Sequence, residues 1–135
     1  MIDTFLAYQR ARNLSPGTIA AYRRTLNALE RSCGASVLAA TRDDVATYLA
    51  RPELAPVTRA AYLSAFSSFF SWAIDEGLVE SSPLRRVARP RVRRGVPRPI
   101  SEGDLRTVLL ASEGRMRAWL LLAACQGLRC IEISR

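Results

Sequence analysis

The side chains that could act chemically in this chain are overwhelmingly arginines. All 20 basic residues are Arg, with no Lys and no His. Without imidazole there is no His general base, no His-containing triad and no His metal ligand in these residues. The three cysteines, Cys33, Cys125 and Cys130, form no CxxC pair. Their odd number reads as buried thiols in a reducing compartment rather than as a disulfide framework. What remains is guanidinium chemistry, which is permanently charged, grips two phosphate oxygens at once and stacks on bases. A GC-rich coding sequence also favours Arg over Lys and accounts for part of the bias.

The arginines are concentrated. Residues 85–99, RRVARPRVRRGVPRP, hold seven of them and no acid. Pro90, Pro97 and Pro99 block a continuous helix, since each lacks an N–H and restrains its predecessor. The stretch reads as an extended cationic connector. It is either a solvated tether or a strap that closes around a polyanion; the mutual repulsion of seven like charges favours the strap. The net charge of +8 points to nucleic acid first and an acidic membrane second. A second arginine stands apart, in Gly127-Leu128-Arg129-Cys130-Ile131-Glu132. It follows a glycine at the start of a helix, where amide dipoles favour an anion. A guanidinium there can hold two non-bridging oxygens of a phosphate and stabilise a pentacoordinate transition state. Glu132, three residues on, shares its helix face. By spacing alone, the pair reads as an ordinary surface ion pair.

The elements that must position these groups all read as helices. Residues 1–13 form a short one, with Ile2, Phe5, Leu6 and Gln9 on one side. Ser15 is a suitable N-cap and Pro16 suits the first helical position of the next. There Ile19, Tyr22, Leu26, Leu29 and Cys33 make one stripe, Arg23, Arg24 and Arg31 fall off it, and Gly34 ends the helix. Thr41 opens a third helix, with Asp44 completing a capping box and Val45, Tyr48 and Leu49 facing inward. The fourth, from Pro56 to about Glu76, carries Tyr62, Phe66, Phe69, Phe70, Ala73 and Ile74 on a wide apolar face. Opposite them lie Ser64, Ser67, Ser68 and Ser71, small enough to let another backbone approach, or simply solvated. Gly77 ends this helix. Beyond the connector, Ser101 and Asp104 repeat the capping pattern, with Leu105, Val108 and Leu109 on the helix face. Residues 116–125 are apolar nearly all round and read as a helix buried in a larger domain, of which 100–135 would be the truncated opening. No hairpin, alternating strand or internal repeat is present. Residues 1–10 do not form a signal peptide, and no stretch reaches the roughly 20 apolar residues of a membrane span.

In this order and spacing, the motifs resemble those of the tyrosine recombinase (phage integrase, XerC/XerD-like) family. The resemblance is carried by Leu14-Ser15-x-x-Thr18-x-x-x-Tyr22, by Phe69-Phe70-x-Trp72 followed by Gly77-Leu78 and Pro83, by Val96-Pro97-x-x-Ile100-Ser101, and by Gly127-Leu128-Arg129. It implies an all-α chain: a SAM-like four-helix core-binding bundle (1–84), an interdomain linker (85–99) and the first part of a catalytic domain (100–135). It implies Arg129 as a catalytic, phosphate-binding arginine oriented by Glu132. It also implies DNA strand exchange through a 3′-phosphotyrosyl intermediate in the full-length parent, without metal or nucleotide cofactor. The family's second and fourth helices dock in the major groove. That carries double-stranded DNA contacts onto Thr18, Arg23, Arg24, Thr58 and Arg59, while Arg91, Arg93, Arg94 and Arg98 would track phosphates. Partners would be a core-type duplex and, in the parent, three further copies in a tetramer, in the cytoplasm of a bacterial host; no membrane is involved. The sequence departs from the family pattern too. The expected Lys, the His-x-x-Arg box and a late nucleophilic Tyr are absent, and Tyr22, Tyr48 and Tyr62 fit core stripes. The segment is therefore expected to bind DNA rather than cleave it. Beginning at the bundle, the sequence is expected to resemble the simpler integrases and Xer proteins that lack an arm-type DNA-binding domain. Two other readings of the residues are a non-enzymatic helical DNA-binding regulator and a helical protein-interaction module.

Overall fold

In the computed structural model, which describes residues 1–92, 95–96 and 98–134, seven α-helices and one 3-10 turn follow one another, and no strand occurs among the described residues. The chain divides within the arginine-rich segment into two compact units, Met1–Arg93 and Arg94–Arg135.

The first unit is a four-helix bundle. α1 (Ile2–Ala11) ends where Asn13 takes a left-handed conformation, φ 59°, so that the Leu14 amide reaches back to the Gln9 carbonyl. α2 (Pro16–Cys33) begins as its sequence dictates. Ser15 accepts a hydrogen bond from the Thr18 amide, Pro16 sits in the first turn, and Gly34 closes the helix at φ 65°. α3 (Arg42–Ala50) carries the expected capping box: the Thr41 hydroxyl accepts from the Asp44 amide, and the Asp44 carboxylate accepts from the Thr41 amide at 2.8 Å and its hydroxyl at 2.7 Å. Those two bonds hold the Asp44 carboxyl below its ordinary pKa, the hydroxyl being the larger cause. Between α2 and α3, a 3-10 turn at Val37–Ala39 buries Val37 and is pinned by the Glu30 carboxylate, which accepts from the Val37 amide.

α4 (Pro56–Asp75) runs through the middle of the core. Phe66, Phe69, Phe70 and Ala73 are buried as expected, joined by Leu63, Ala65 and Trp72. Ile74 is instead exposed at the rim, because the buried face turns through Trp72 and Ala73 and leaves position 74 outside it. The aromatic rings interlock. Phe5 meets Phe69 edge-on at 5.3 Å, Phe69 meets Phe70 edge-on at 5.3 Å, and Tyr48 meets Phe66 at 5.8 Å, all favourable geometries for ring quadrupoles. The burial expected of all three thiols is not found: Cys125 and Cys130 are exposed and Cys33 is half-buried, where burial first and the Asp44 charge second push its thiol pKa up, so it stays a thiol.

The connector departs from the extended strap expected over 85–99. Its first residues form a turn: the Ser82 hydroxyl accepts from the Leu84 amide and the Leu84 carbonyl from the Val87 amide. Leu84 and Val87, three residues apart, pack against the bundle core. Their apolar side chains outweigh the cost of ordering this stretch, which holds the connector against the bundle as far as Val87.

The second unit consists of α5 (Glu102–Ala111), α6 (Gly114–Gln126) and α7 (Cys130–Ile133). Ser101 caps α5 through the Asp104 amide, as its spacing predicts. The buried environment expected for 116–125 is not found. Met116, Leu121 and Leu122 are exposed, and Trp119 and Leu120 only half-buried. α5 and α7 pack on α6 but cannot enclose a helix that is apolar on every side.

Candidate nucleic-acid interface

α2 and α4 lie side by side, and their exposed faces enclose a groove of about 840 Å³. Its walls combine small residues, Gly17, Ala21, Ala61 and Ser64, which leave stretches of both helix backbones open to close approach, with the rings of Tyr22 and Tyr62. Its polar groups include the hydroxyls of Ser15, Thr18, Thr25, Ser64, Tyr22 and Tyr62 and the guanidinium of Arg24. The Ser15 and Thr18 hydroxyls lie 2.9 Å apart, while Ser15 also accepts from the Thr18 amide. One mouth of the groove is thus a fixed cluster of donors at the first turn of an 18-residue helix whose first turn holds no acid.

Of the five contacts expected on α2 and α4, the fold brings two into this groove, Thr18 and Arg24. Arg23 is turned away and pairs with Asp3 of α1 at 2.7 Å, where both partners remain in solvent. Thr58 and Arg59 lie in the first turn of α4, just ahead of Ala61 but outside the groove lining. Arg59 is half-buried: its Nη2 donates to the Arg51 carbonyl at 2.9 Å, and its Nε is enclosed without a partner. Arg51 in turn lies over the Tyr48 ring, 3.9 Å from the centroid, and its Nε donates to the Tyr48 carbonyl. This stack joins the α3–α4 loop to the start of α4, so here Arg59 holds the loop. Thr58 is half-buried beside it. In the connector, Arg91 and Arg98 are exposed, whereas Arg93 and Arg94 lie outside the described residues.

Sequence reasoning named Ser64 on a face open to another backbone, read Ser15 only as a cap, and passed over Ala61. The absence of bulk at 17, 21 and 61, all on the outward side of two adjacent helices, was the available signal.

In the second unit, Arg129 is the residue before α7. Its backbone N–H donates to Glu132 Oε2 at 2.7 Å, and Glu132 Oε1 stands 3.6 Å from its Nη1. One carboxylate therefore ties both the main chain and the side chain of Arg129. The guanidinium itself is 82% exposed, leaving most of its donors open to an anion.

Comparison with known proteins concerns the chain's family. The family model described as "Phage integrase, N-terminal SAM-like domain" matches residues 2–77, which is α1 to α4. The chain is similar to the tyrosine recombinase XerC of Erythrobacter litoralis, with 33% identity over 98% of this chain and 47% of the relative. It is also similar to the tyrosine recombinase XerC of Salmonella typhi, with 32% identity over 80% of this chain and 39% of the relative. Among solved structures, an integrase from mycobacterium phage Brujita matches with a TM-score of 0.70 and 32% identity, over 96% of this chain and 46% of that one. The chain thus spans about half the length of the curated relatives it matches or less.

Proposed function

The chain belongs to the phage integrase family through its N-terminal SAM-like domain, and from that premise we propose that it is the duplex-DNA-binding part of a site-specific tyrosine recombinase. The observation that carries this reading is the α2–α4 groove. It joins small wall residues, a capped donor cluster and Arg24 on a chain of net charge +8. Helix backbones that can approach closely, with a guanidinium at the edge, suit a major groove bordered by phosphates. Thr18 and Arg24 are the contacts the groove favours. Arg23, Thr58 and Arg59 enter only if the Asp3 and Arg51 contacts yield on binding. Arg91, Arg93, Arg94 and Arg98 follow phosphates along the connector, so that the strap and the bundle hold the duplex together.

In the full-length parent, the reaction is strand cleavage and rejoining through a 3′-phosphotyrosyl link on a core-type site, within a tetramer in a bacterial cytoplasm. Arg129 would hold the non-bridging oxygens of the scissile phosphate, and Glu132 would keep its guanidinium in place. Among the described residues no helix is long and apolar enough to cross a membrane.

The test is fluorescence anisotropy of the 135-residue chain on a labelled 30-base-pair duplex across a salt series. With about six phosphates neutralised, log affinity should fall against log salt with a slope of roughly −5. A slope near zero, or no binding at 0.1 M salt, would refute DNA binding. In the parent, Arg129→Ala should abolish strand cleavage and spare binding; unimpaired cleavage would remove Arg129 from the reaction.

A further inference from the structure

α4 has a second flank. On the side away from α2, its outer face, α1 and the docked start of the connector enclose another groove, of about 620 Å³. Ser64 lines both grooves, so they flank one another on the exposed face of α4. At its floor lies Gln9, only 1% exposed. Its Nε2 donates to Ser68 Oγ at 3.1 Å, its one side-chain hydrogen bond among the described residues. A polar group this deeply buried is costly unless it is partnered. Two guanidiniums border the groove: Arg12, set 5.6 Å over the Tyr8 ring, and Arg89. Arg89 is carried by the connector segment that Leu84 and Val87 fix to the bundle. The lining has a single acid, Asp75.

We propose that this groove is a second phosphodiester track, in which Arg12 and Arg89 neutralise phosphates of the same duplex that fills the α2–α4 groove. The inference rests on the DNA-binding reading above and adds to it a site and two residues. Three features select a nucleic-acid backbone. Two cations face one acid; the Ser67 and Ser71 hydroxyls line the groove and can donate to phosphate oxygens; and the groove borders, at Ser64, the one proposed above to hold DNA. Asp75 repels phosphate and limits the track. The docked turn at Leu84 and Val87 then has a purpose, because it holds a connector arginine in register with the bundle before any DNA arrives.

The experiment compares the full chain with Arg12→Gln/Arg89→Gln on a random 30-base-pair duplex over 0.05–0.3 M NaCl. The control, Arg31→Gln/Arg42→Gln, removes the same charge from exposed positions outside both grooves. Each phosphate contact contributes about 0.9 to the slope, so the groove double variant should flatten it by about 1.8. Binding at 0.1 M salt should weaken roughly ten- to sixty-fold. The control should retain the unaltered slope, and Asp75→Asn should tighten binding. If the unaltered chain binds DNA but the two double variants share one slope, the track is overturned while the DNA-binding reading stands, and the groove is left to a peptide partner. If the unaltered chain binds no DNA, both fall.

Discussion

Replacing Ser68 with Ala removes only one hydroxyl, yet the structure makes it costly. Gln9 is 1% exposed, and Ser68 Oγ is the acceptor for its Nε2 at 3.1 Å. Ser68 is half-buried, so losing it strands an amide donor that water reaches poorly. An unsatisfied buried donor costs about 1–3 kcal/mol, and the incomplete enclosure of the groove places this one near the lower end, about 1.5 kcal/mol. Gln9→Leu removes the amide itself, keeps most of the volume, and leaves a Ser68 hydroxyl that solvent can satisfy. It should cost less than about 0.5 kcal/mol. The double variant should then be no worse than Gln9→Leu alone, because the second change has nothing left to strand. The coupling between the two sites would be about 1 kcal/mol or more. Urea unfolding followed by far-ultraviolet circular dichroism reads this directly. For a slope of about 1–1.5 kcal/mol per molar, Ser68→Ala should lower the midpoint by about 1 M. A midpoint change below about 0.2 M for Ser68→Ala, or strict additivity in the double variant, would show that the Gln9–Ser68 bond does not partner a buried donor.

Other perturbations test separate parts of the structure. Phe69→Ala removes a fully buried ring that contacts Phe5, Phe70 and Trp72. It should cost about 3–5 kcal/mol, enough to unfold much of a bundle this small, as thermal melting would show. Arg59→Ala should lower stability by about 1 kcal/mol through loss of the bond to the Arg51 carbonyl, with little change in the salt slope of DNA binding. Arg24→Ala should do the reverse, and an anisotropy titration beside a urea melt separates the two. Asp44 has a depressed pKa in the fold, so its cap contributes stability above the ordinary carboxylate pKa, and that contribution is lost as pH falls through the lowered value. In Asp44→Asn, this acid-side loss should disappear from a series of melting temperatures between pH 6 and pH 2.

The helices of the bundle and their limits were legible in the sequence, because the forces that set them are local. Ser15 with Pro16, Thr41 with Asp44, and Ser101 with Asp104 each satisfy amides a few residues away, and Gly34 and Gly127 take the left-handed turn that ends a helix. The inward stripes of α2 and α3 followed from a 3.6-residue period. The resemblance to a DNA-recombining family came instead from the order and spacing of its motifs along the chain. Other features depended on which surfaces met. Arg23 and Arg24 are neighbours on one helix and indistinguishable by type, yet one pairs with Asp3 and the other lines a groove. Arg59 reads as a free cation until the Arg51 carbonyl is placed against it. Leu84 and Val87 sit inside a proline- and arginine-rich stretch that reads as tether, and only the bundle surface gives them something to cover. A hydrogen bond across 59 residues, such as Gln9 to Ser68, has no local signature at all. Caps and periodicity are encoded within one or two turns of chain, whereas the fate of a charge or a buried amide is decided by a partner that only folding brings near.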